Sequence, residues 1–194
     1  MKRNNIVAIA GLLVFSALPV SAQDNRWSVE IRAGGNISTE SFAEVDQKAG
    51  VGLEGSVAYR VLPNLSLYAG WDWQHRQAKD PLFGATADVE DTGYAYGVRY
   101  LFPVDTRAKP FLRLGGLFNH VEIEDEDGTL VADSKHTGQG WEMGGGLDVT
   151  LNDSWSLTPG VRYRRFSPDV RFGGTTTSAT VAYVTLDVGV AWKF

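Results

Sequence analysis

Cysteine is absent from all 194 residues of this chain. The protein therefore forms no disulfide and offers no thiolate nucleophile and no cysteine ligands for zinc or an iron–sulfur cluster. It also has no cysteine that could carry a lipid anchor, which excludes the lipoprotein route to a membrane. An oxidising compartment such as the bacterial periplasm is compatible with this composition.

Long apolar runs are scarce. One occurs at residues 6–20, where it follows a basic start and precedes the small-residue site Val20-Ser21-Ala22. This pattern predicts a cleaved signal peptide at residues 1–22 and a single domain at residues 23–194, because the run is shorter than the roughly 20 residues of a membrane-spanning helix. No later run reaches that length, so any membrane crossing requires a closed β-barrel, which satisfies its backbone in lipid.

The chain also lacks a basic excess. Its 23 Asp and Glu residues outnumber 18 Lys and Arg residues, for a formal net charge of −5. Nucleic-acid-binding proteins usually carry basic patches. The sequence therefore predicts no nucleic-acid partner.

Alternation of apolar and polar residues is abundant, and the end of the chain has the clearest case. Every second residue from Val184 to Phe194 is large and apolar, while the residues between them are polar or small. Side chains alternate between the two faces of a strand, so this pattern predicts a β-strand. Eight such segments occur, at residues 27–37, 51–61, 65–75, 94–102, 111–120, 141–151, 155–165 and 183–194.

The connections between these segments alternate between long and short. The long ones include the polar residues 76–92, the acidic residues 122–140 and the Gly/Thr-rich residues 167–178. This asymmetry is typical of an all-β, eight-stranded antiparallel up-and-down transmembrane barrel, with tight turns and both termini on the periplasmic side. We expect irregularities near Val121, where the alternation slips, and at Pro159, which lacks a ladder donor.

The polar face decides which side points inward. The apolar face alone would also fit a secreted ligand-binding barrel or a soluble sandwich, but the other face combines many small residues with six acids and seven bases. An eight-stranded barrel interior is just wide enough for side chains, and buried charges are costly unless paired. The sequence therefore predicts an occluded, ion-paired lumen formed by Glu30, Arg32, Glu54, Arg60, Asp72, Arg99, Arg113, Glu142, Asp148, Arg162, Arg164, Asp187 and Lys193.

Aromatic residues recur at both ends of the predicted strands. Membrane barrels carry such girdles at the two lipid–water interfaces. The predicted girdles contain Trp27, Tyr59, Trp71, Trp73, Tyr100, Phe102, Phe118, Trp141, Trp155 and Tyr163.

Residues 109–116, 141–148, 152–157 and 188–194 resemble the small outer-membrane β-barrel superfamily, which includes the OmpA-type transmembrane domain and opacity-type porin-family proteins. The resemblance extends over residues 23–194 and implies a bacterial outer-membrane location, with outer-membrane lipid and lipopolysaccharide as neighbours. It also implies that the last strand is the signal read by the barrel-assembly machinery, through Tyr183, Val188, Val190, Trp192 and Phe194.

Acidic residues 122–127 form the most conspicuous connection. Carboxylates at this density are typical calcium ligands, but an EF-hand would need an acid at Ile123 and a glutamate at Ser134. A solvated acidic loop is favoured, and divalent-cation bridging to lipopolysaccharide phosphates is the alternative. No metal site or cofactor is predicted.

Hydrolysis is the alternative that requires catalytic residues. Some eight-stranded outer-membrane barrels resemble lipid A deacylases that use serine, histidine and a carboxylate. Here Ser134 lies two residues before His136, and Glu122 lies two residues after His120, but the His-x-Ser order of the deacylases is absent. The Ser134/His136 pair has no evident orienting acid or oxyanion hole, so its triad is incomplete.

The sequence therefore predicts a non-enzymatic, monomeric barrel that contributes to envelope structure or surface interaction, with an unknown extracellular ligand at its loops. A small-molecule conduit and an adhesin remain alternatives, and a lipid A-modifying hydrolase is a further one.

Overall fold

The computed structural model describes residues 25–40, 49–77, 87–125, 130–172 and 175–194. The predicted signal peptide at residues 1–22 lies outside these ranges. Within them, no helix is long and apolar enough to cross a membrane. The strands are β1 (Trp27–Ser38), β2 (Gly50–Leu62), β3 (Leu65–Gln77), β4 (Ala87–Leu101), β5 (Ala108–Asp125), β6 (Leu130–Thr150), β7 (Trp155–Phe172), β8 (Thr175–Ser178) and β9 (Val181–Lys193).

The strands form one closed antiparallel barrel. Each of β1 to β7 pairs with its sequence neighbours, and β9 pairs with both β7 and β1 to close the ring. The short β8 pairs with β7 in the register that β9 then continues, so β8 and β9 form the eighth barrel strand. The predicted eight-stranded antiparallel barrel is thus confirmed. We call the end with the short connections 63–64, 102–107 and 151–154 the turn end, and the opposite end the loop end.

Several strands are longer at the loop end than the sequence predicts. The predicted loop at residues 76–92 contains the end of β3 and the start of β4, and all described residues of the predicted loop at 122–140 are strand. Residues 167–172 and 175–178 are also strand. Alternation marks a strand only where one face meets lipid and the other does not. These segments extend past the aromatic belt of the loop end, so their sequences do not alternate and the predictions there were wrong.

The expected irregularity near Val121 is present, but it lies on the partner strand. Along β5 the inward row continues without a slip through Asn119, Val121 and Ile123, which are all fully buried. In the pairing with β6, residues 134–137 lie opposite only two β5 residues, His120 and Val121. Extra residues on one strand of a pair form a bulge. The apparent slip in the sequence arises because apolar side chains enter the lumen here.

The expected irregularity at Pro159 is a local gap in the β6–β7 ladder. Pairing stops after Gly146–Gly160 and resumes at Val149–Leu157 in the same register. The carbonyl of Thr158 accepts a hydrogen bond from Arg32 Nη2 at 2.9 Å. A lumen guanidinium thus satisfies a backbone group beside the proline, which cannot donate to the ladder.

The barrel is apolar outside and polar inside. Ile31, Tyr94 and Leu186 are 64–65% exposed on its outer face, whereas Asp72 and Arg164 are fully buried inside. Water-soluble barrels and sandwiches bury their apolar face instead. This inversion is typical of membrane barrels, and it excludes the secreted barrel and the soluble sandwich.

Candidate functional site in the barrel lumen

Arg164 on β7 is the centre of the lumen network. Its Nε donates to Glu142 Oε2 at 2.8 Å, its Nη2 donates to Glu54 Oε2 at 2.8 Å, and its Nη1 lies 2.7 Å from Asp72 Oδ1. The three carboxylates come from β6, β2 and β3, so one guanidinium joins opposite walls. Arginine suits this position because its planar fork presents five donors in fixed directions.

Three more arginines complete a layer across the middle of the lumen. Arg113 lies 2.7 Å from both Glu54 Oε1 and Glu142 Oε1. Arg162 contacts Glu54 and donates to Asp187 Oδ2 at 2.8 Å. The layer is closed by Arg32, which pairs with Asp187 and with Glu30.

A second charged layer lies toward the turn end. Arg99 contacts Glu30 at 3.3 Å and Asp148 at 3.2 Å, while Lys193 Nζ lies 3.1 Å from Asp148 Oδ1. Together with the central layer, it contains twelve of the thirteen residues that the sequence predicts for the network. The other, Arg60, lines a cavity of about 100 Å³ at the turn-end mouth, beside Arg99, Asp148 and Lys193.

A third polar layer, toward the loop end, was missed by the sequence prediction. Arg76 pairs with Asp91, and both side chains are fully buried. Asn119 Nδ2 donates to Asp91 Oδ1 at 3.0 Å and to Asp72 Oδ1 at 3.1 Å, which links this layer to the central one. Arg76 and Asp91 lie within the predicted loop 76–92. Continuing the inward parity of β3 from Asp72 and Gln74 to residue 76 would have found the arginine.

Tyr68 extends from β3 over two glycines of the adjacent strands β4 and β5. Its hydroxyl donates to Glu142 Oε1 at 2.6 Å, and the Arg113 guanidinium lies 4.1 Å from its ring centre. A β-carbon at Gly97 or Gly115 would overlap this hydroxyl. Tyr68, the two glycines and Glu142 are consecutive pairing partners on β3, β4, β5 and β6. The glycines therefore have a specific role, since they make room for the Tyr68 side chain to extend from β3 to β6.

An apolar layer covers the polar ones at the loop end. It is formed by Val89, Val121, Ile123, Phe166 and Val181, none more than 2% exposed. These residues occupy inward positions on β4, β5, β7 and β9. The lumen therefore changes from charged to apolar before it reaches the loops.

Ser134, His120 and Glu122 form a small hydrogen-bonded chain on the outer face. The sequence instead suggests a pair of Ser134 and His136. Ser134 Oγ lies 2.7 Å from His120 Nδ1 and accepts the Val121 N–H at 3.0 Å, while His120 Nε2 lies 3.4 Å from Glu122 Oε1. Ser134 is only 2% exposed. The expected partner, the His136 side chain, lies outside the described side chains. A nucleophile must reach its substrate, and this hydroxyl is buried.

The acidic residues predicted as a loop lie partly on strands. Glu122 and Glu124 are on β5, directly opposite Glu90 and Asp88 of β4. The interpretation of residues 122–125 as a loop was wrong, and Glu126 and Asp127 lie outside the described residues. In the described part of the chain, no group of three or more His, Asp or Glu side chains is arranged to hold a metal ion.

The aromatic residues form pairs on the outer face. At the turn end, ring centres lie 4.8 Å apart for Trp27 and Tyr59, and 5.2 Å apart for Tyr100 and Phe102. Nearer the loop end, Trp141 and Tyr163 are separated by 5.3 Å. Trp71, Trp73, Phe118 and Trp155 are also exposed or half-buried on this face.

The residues that the resemblance assigns to assembly divide between the two faces of β9. Val188, Val190 and Trp192 point outward and are exposed, whereas Tyr183 is fully buried in the lumen and donates to Asp91 Oδ1 at 3.2 Å. Phe194 exchanges two backbone hydrogen bonds with Trp27, at 2.9 and 3.0 Å. Phe194 thus extends the pairing of β1 with β9 by one residue pair.

A closed antiparallel barrel with an apolar exterior and a charge-paired lumen defines the class of small integral outer-membrane barrels. Comparison with protein families agrees, because the model described as outer membrane protein beta-barrel domain matches residues 10–194. The chain therefore belongs to this family, whose members are bacterial outer-membrane proteins. No curated protein matches the chain in sequence.

Solved structures share the fold at low sequence identity. Neisserial surface protein A (NspA) is 20% identical, with a TM-score of 0.62 over 87% of this chain and 97% of that one. OprG from Pseudomonas aeruginosa is 15% identical, with a TM-score of 0.55 over 87% and 96%. Ail, the attachment invasion locus protein of Yersinia pestis, is 11% identical, with a TM-score of 0.50 over 87% and 99%.

Proposed function

We propose that the protein is a closed, non-conducting and non-enzymatic barrel that supports the outer membrane and presents its loop end at the cell surface. The observation that carries this proposal is the filling of the lumen by three linked polar layers and one apolar layer. Arg164 joins β7 to three other strands through three carboxylates.

Two physical barriers oppose passage of an ion. Moving through the central layer requires opening buried pairs such as Arg164–Asp72, whose separated charges would lack both water and a partner. On the loop side of the central layer, the apolar layer around Val121 and Phe166 offers no ligand for a hydrated ion. Hydrophobic constrictions of this kind exclude ions because water leaves the constriction. A small-molecule conduit would have to displace both layers.

The purified chain inserted into a planar bilayer should give no stable single-channel steps, because paired side chains join the walls of the lumen. An open porin inserted in the same bilayer serves as the positive control. Stable steps of nanosiemens size from the heat-modifiable, folded protein would contradict a closed lumen.

A surface role is supported by the lengths of β5, β6 and β7, which have 18, 21 and 18 residues. A membrane-spanning strand needs roughly 9–11 residues. The additional residues lie at the loop end, where they extend one side of the wall beyond the aromatic residues. This extension provides an area for contact with an extracellular ligand, as an adhesin would require.

The non-enzymatic part of the proposal is supported by the Ser134–His120–Glu122 chain. Ser134 Oγ is buried and accepts the Val121 amide. Its contact with His120 thus has a structural explanation, because it satisfies polar groups at the β6 bulge.

We propose that Phe194 is part of the signal read by the barrel-assembly machinery, as the resemblance implies. Deleting Phe194 should lower the outer-membrane level of the protein severalfold, measured in membrane fractions of cells with matched expression. The loss should exceed the effect on the folded barrel, because the deletion removes one ring and the two backbone hydrogen bonds to Trp27.

Refolding the same variant from urea into detergent separates the two roles of Phe194. The free energy of unfolding should fall by about 2–4 kcal/mol, the sum of about 1–3 kcal/mol for two hydrogen bonds and about 1 kcal/mol for a half-buried ring. Phe102→Ala, which removes an exposed ring at the same end of the barrel, is the matched control. Normal outer-membrane levels of the deletion variant would refute the assembly role.

A further inference from the structure

The lipid-facing wall carries a groove where β6 lacks a side chain. Gly145 lies on the outer face, between Leu112 of β5 and Val161 of β7. The groove has a volume of about 500 Å³ and a lining that is almost entirely apolar. Its outward walls are Leu112, Leu114, Met143, Val161, Tyr163 and Val184.

The groove begins under an aromatic pair on the side of the loop end. Trp141 and Tyr163 lie with their ring centres 5.3 Å apart. Met143 pairs directly with Tyr163, and Gly145 with Val161, so the groove runs from this pair toward the middle of the membrane band. The groove therefore faces the lipid leaflet that surrounds the loop-end half of the barrel.

The guanidinium of Arg165 lies just beyond the groove on the side of the loop end. Arg165 is two residues beyond Tyr163 on the same face of β7 and pairs directly with Trp141. Its side chain is 45% exposed and contacts Glu40 at 2.6 Å. An exposed ion pair contributes little, so a phosphate can compete for this guanidinium with two charge-assisted hydrogen bonds.

We propose that the groove binds one acyl chain of a lipopolysaccharide molecule and that Arg165 binds a phosphate of the same molecule. The apolar lining matches a hydrocarbon chain, and the separation between Gly145 and Arg165 along the wall matches an amphiphile with its charged group at the interface. This inference rests on the orientation in the proposed function, which places the loop end in the outer leaflet.

Native mass spectrometry of the full chain in mild detergent with added lipid A tests the proposal. The unmodified protein should retain one lipid A molecule. Val161→Trp and Gly145→Leu fill the groove and should reduce the lipid-bound fraction severalfold, while Arg165→Gln should reduce retention of phosphorylated lipid A and leave retention of its dephosphorylated form unchanged.

Each variant has a matched control on another part of the wall. Val57→Trp enlarges a lipid-facing valine of similar exposure, 43% against 48% for Val161. Gly55→Leu changes an outward glycine whose β-carbon would meet nothing within 4 Å. Arg107→Gln removes an exposed arginine at the turn end. These controls should retain lipid A as the unmodified protein does.

Two groove variants are needed because a β-carbon at Gly145 would lie only 3.0 Å from the Phe111 carbonyl oxygen. Heat-modifiable migration on a gel confirms that each variant is folded. Three results would overturn the proposal. The first is equal retention of lipid A by Val161→Trp and Val57→Trp, and the second is preferential retention of phosphatidylglycerol over lipid A. The third is the mass of a protein dimer that disappears in Val161→Trp. None of these results changes the conductance, so the proposed function is tested separately.

Discussion

Replacing Arg164 with methionine should lower the free energy of unfolding by about 3–5 kcal/mol, the range for breaking a buried ion pair by removing one partner. Glu54, Asp72 and Glu142 share this guanidinium, and all three are at most 2% exposed. Methionine keeps most of the side-chain length, and Glu54 and Glu142 keep their contacts with Arg113. The loss therefore arises mainly from the buried Asp72 carboxylate, which loses its contact with Arg164. Urea titration of the barrel in detergent, followed by tryptophan fluorescence, measures the effect.

Arg165→Met is the matched control, because this neighbouring arginine points outward and its side chain is 45% exposed. Its effect should stay within about 0.5 kcal/mol, as for ordinary surface substitutions. Equal effects of the two variants would contradict the importance of the lumen network.

The pair Arg164–Asp72 can be isolated by a double variant. Asp72→Asn removes the carboxylate charge that Arg164 Nη1 contacts at 2.7 Å. Arg164→Met combined with Asp72→Asn should therefore lose less stability than the sum of the single variants, with a coupling of about 1–3 kcal/mol. Additive losses would mean that the two charges do not interact.

Replacing Gly115 with valine should destabilise the barrel by at least about 3 kcal/mol, at the upper end of the range for overpacking a core. A β-carbon at this position would overlap the Tyr68 hydroxyl, and it would approach the Tyr96 carbonyl oxygen to 2.5 Å. Relief would require Tyr68 to leave Glu142 and the two strands to separate. The yield of heat-modifiable protein after refolding and the urea midpoint both measure the loss.

Gly55→Val is the control for this substitution, since its β-carbon would face open space on the outer wall. Valine favours strands, so this variant should fold with unchanged or slightly higher stability. If Gly115→Val refolds with the same yield and the same urea midpoint as Gly55→Val, Tyr68 does not occupy the space over Gly115.

The sequence was most informative where the wall lies between lipid and lumen. Along β9, alternation correctly assigns Val188 and Trp192 to the outer face and Asp187 and Lys193 to the lumen, because a barrel in lipid requires opposite chemistry on its two sides. At the loop end this requirement weakens. The strand ends that contain Arg76 and Asp91 therefore looked like a loop, and the apolar Val121 looked like a slip in phase.

Partner choice in the lumen depends on the closed ring. Arg32 is far from Asp187 and Thr158 in sequence, yet closure of β1 against β9 brings all three together. A list of six acids and seven bases predicts near-neutrality, but it does not say that Tyr68 reaches Glu142 over Gly115. That contact depends on the curvature of the wall and on the register of the adjacent strands β3 to β6, which places Tyr68, the glycines and Glu142 in one row.

Local pattern by itself determined the strand number, the antiparallel order, the two faces of the wall and the charged composition of the lumen, because each follows from period-two alternation and the length of the connections. The tertiary structure alone decided the three polar layers, the apolar layer above them and the lipid-facing groove at Gly145. These features are formed by residues far apart in the chain, and only the register and curvature of the closed sheet bring those residues into contact.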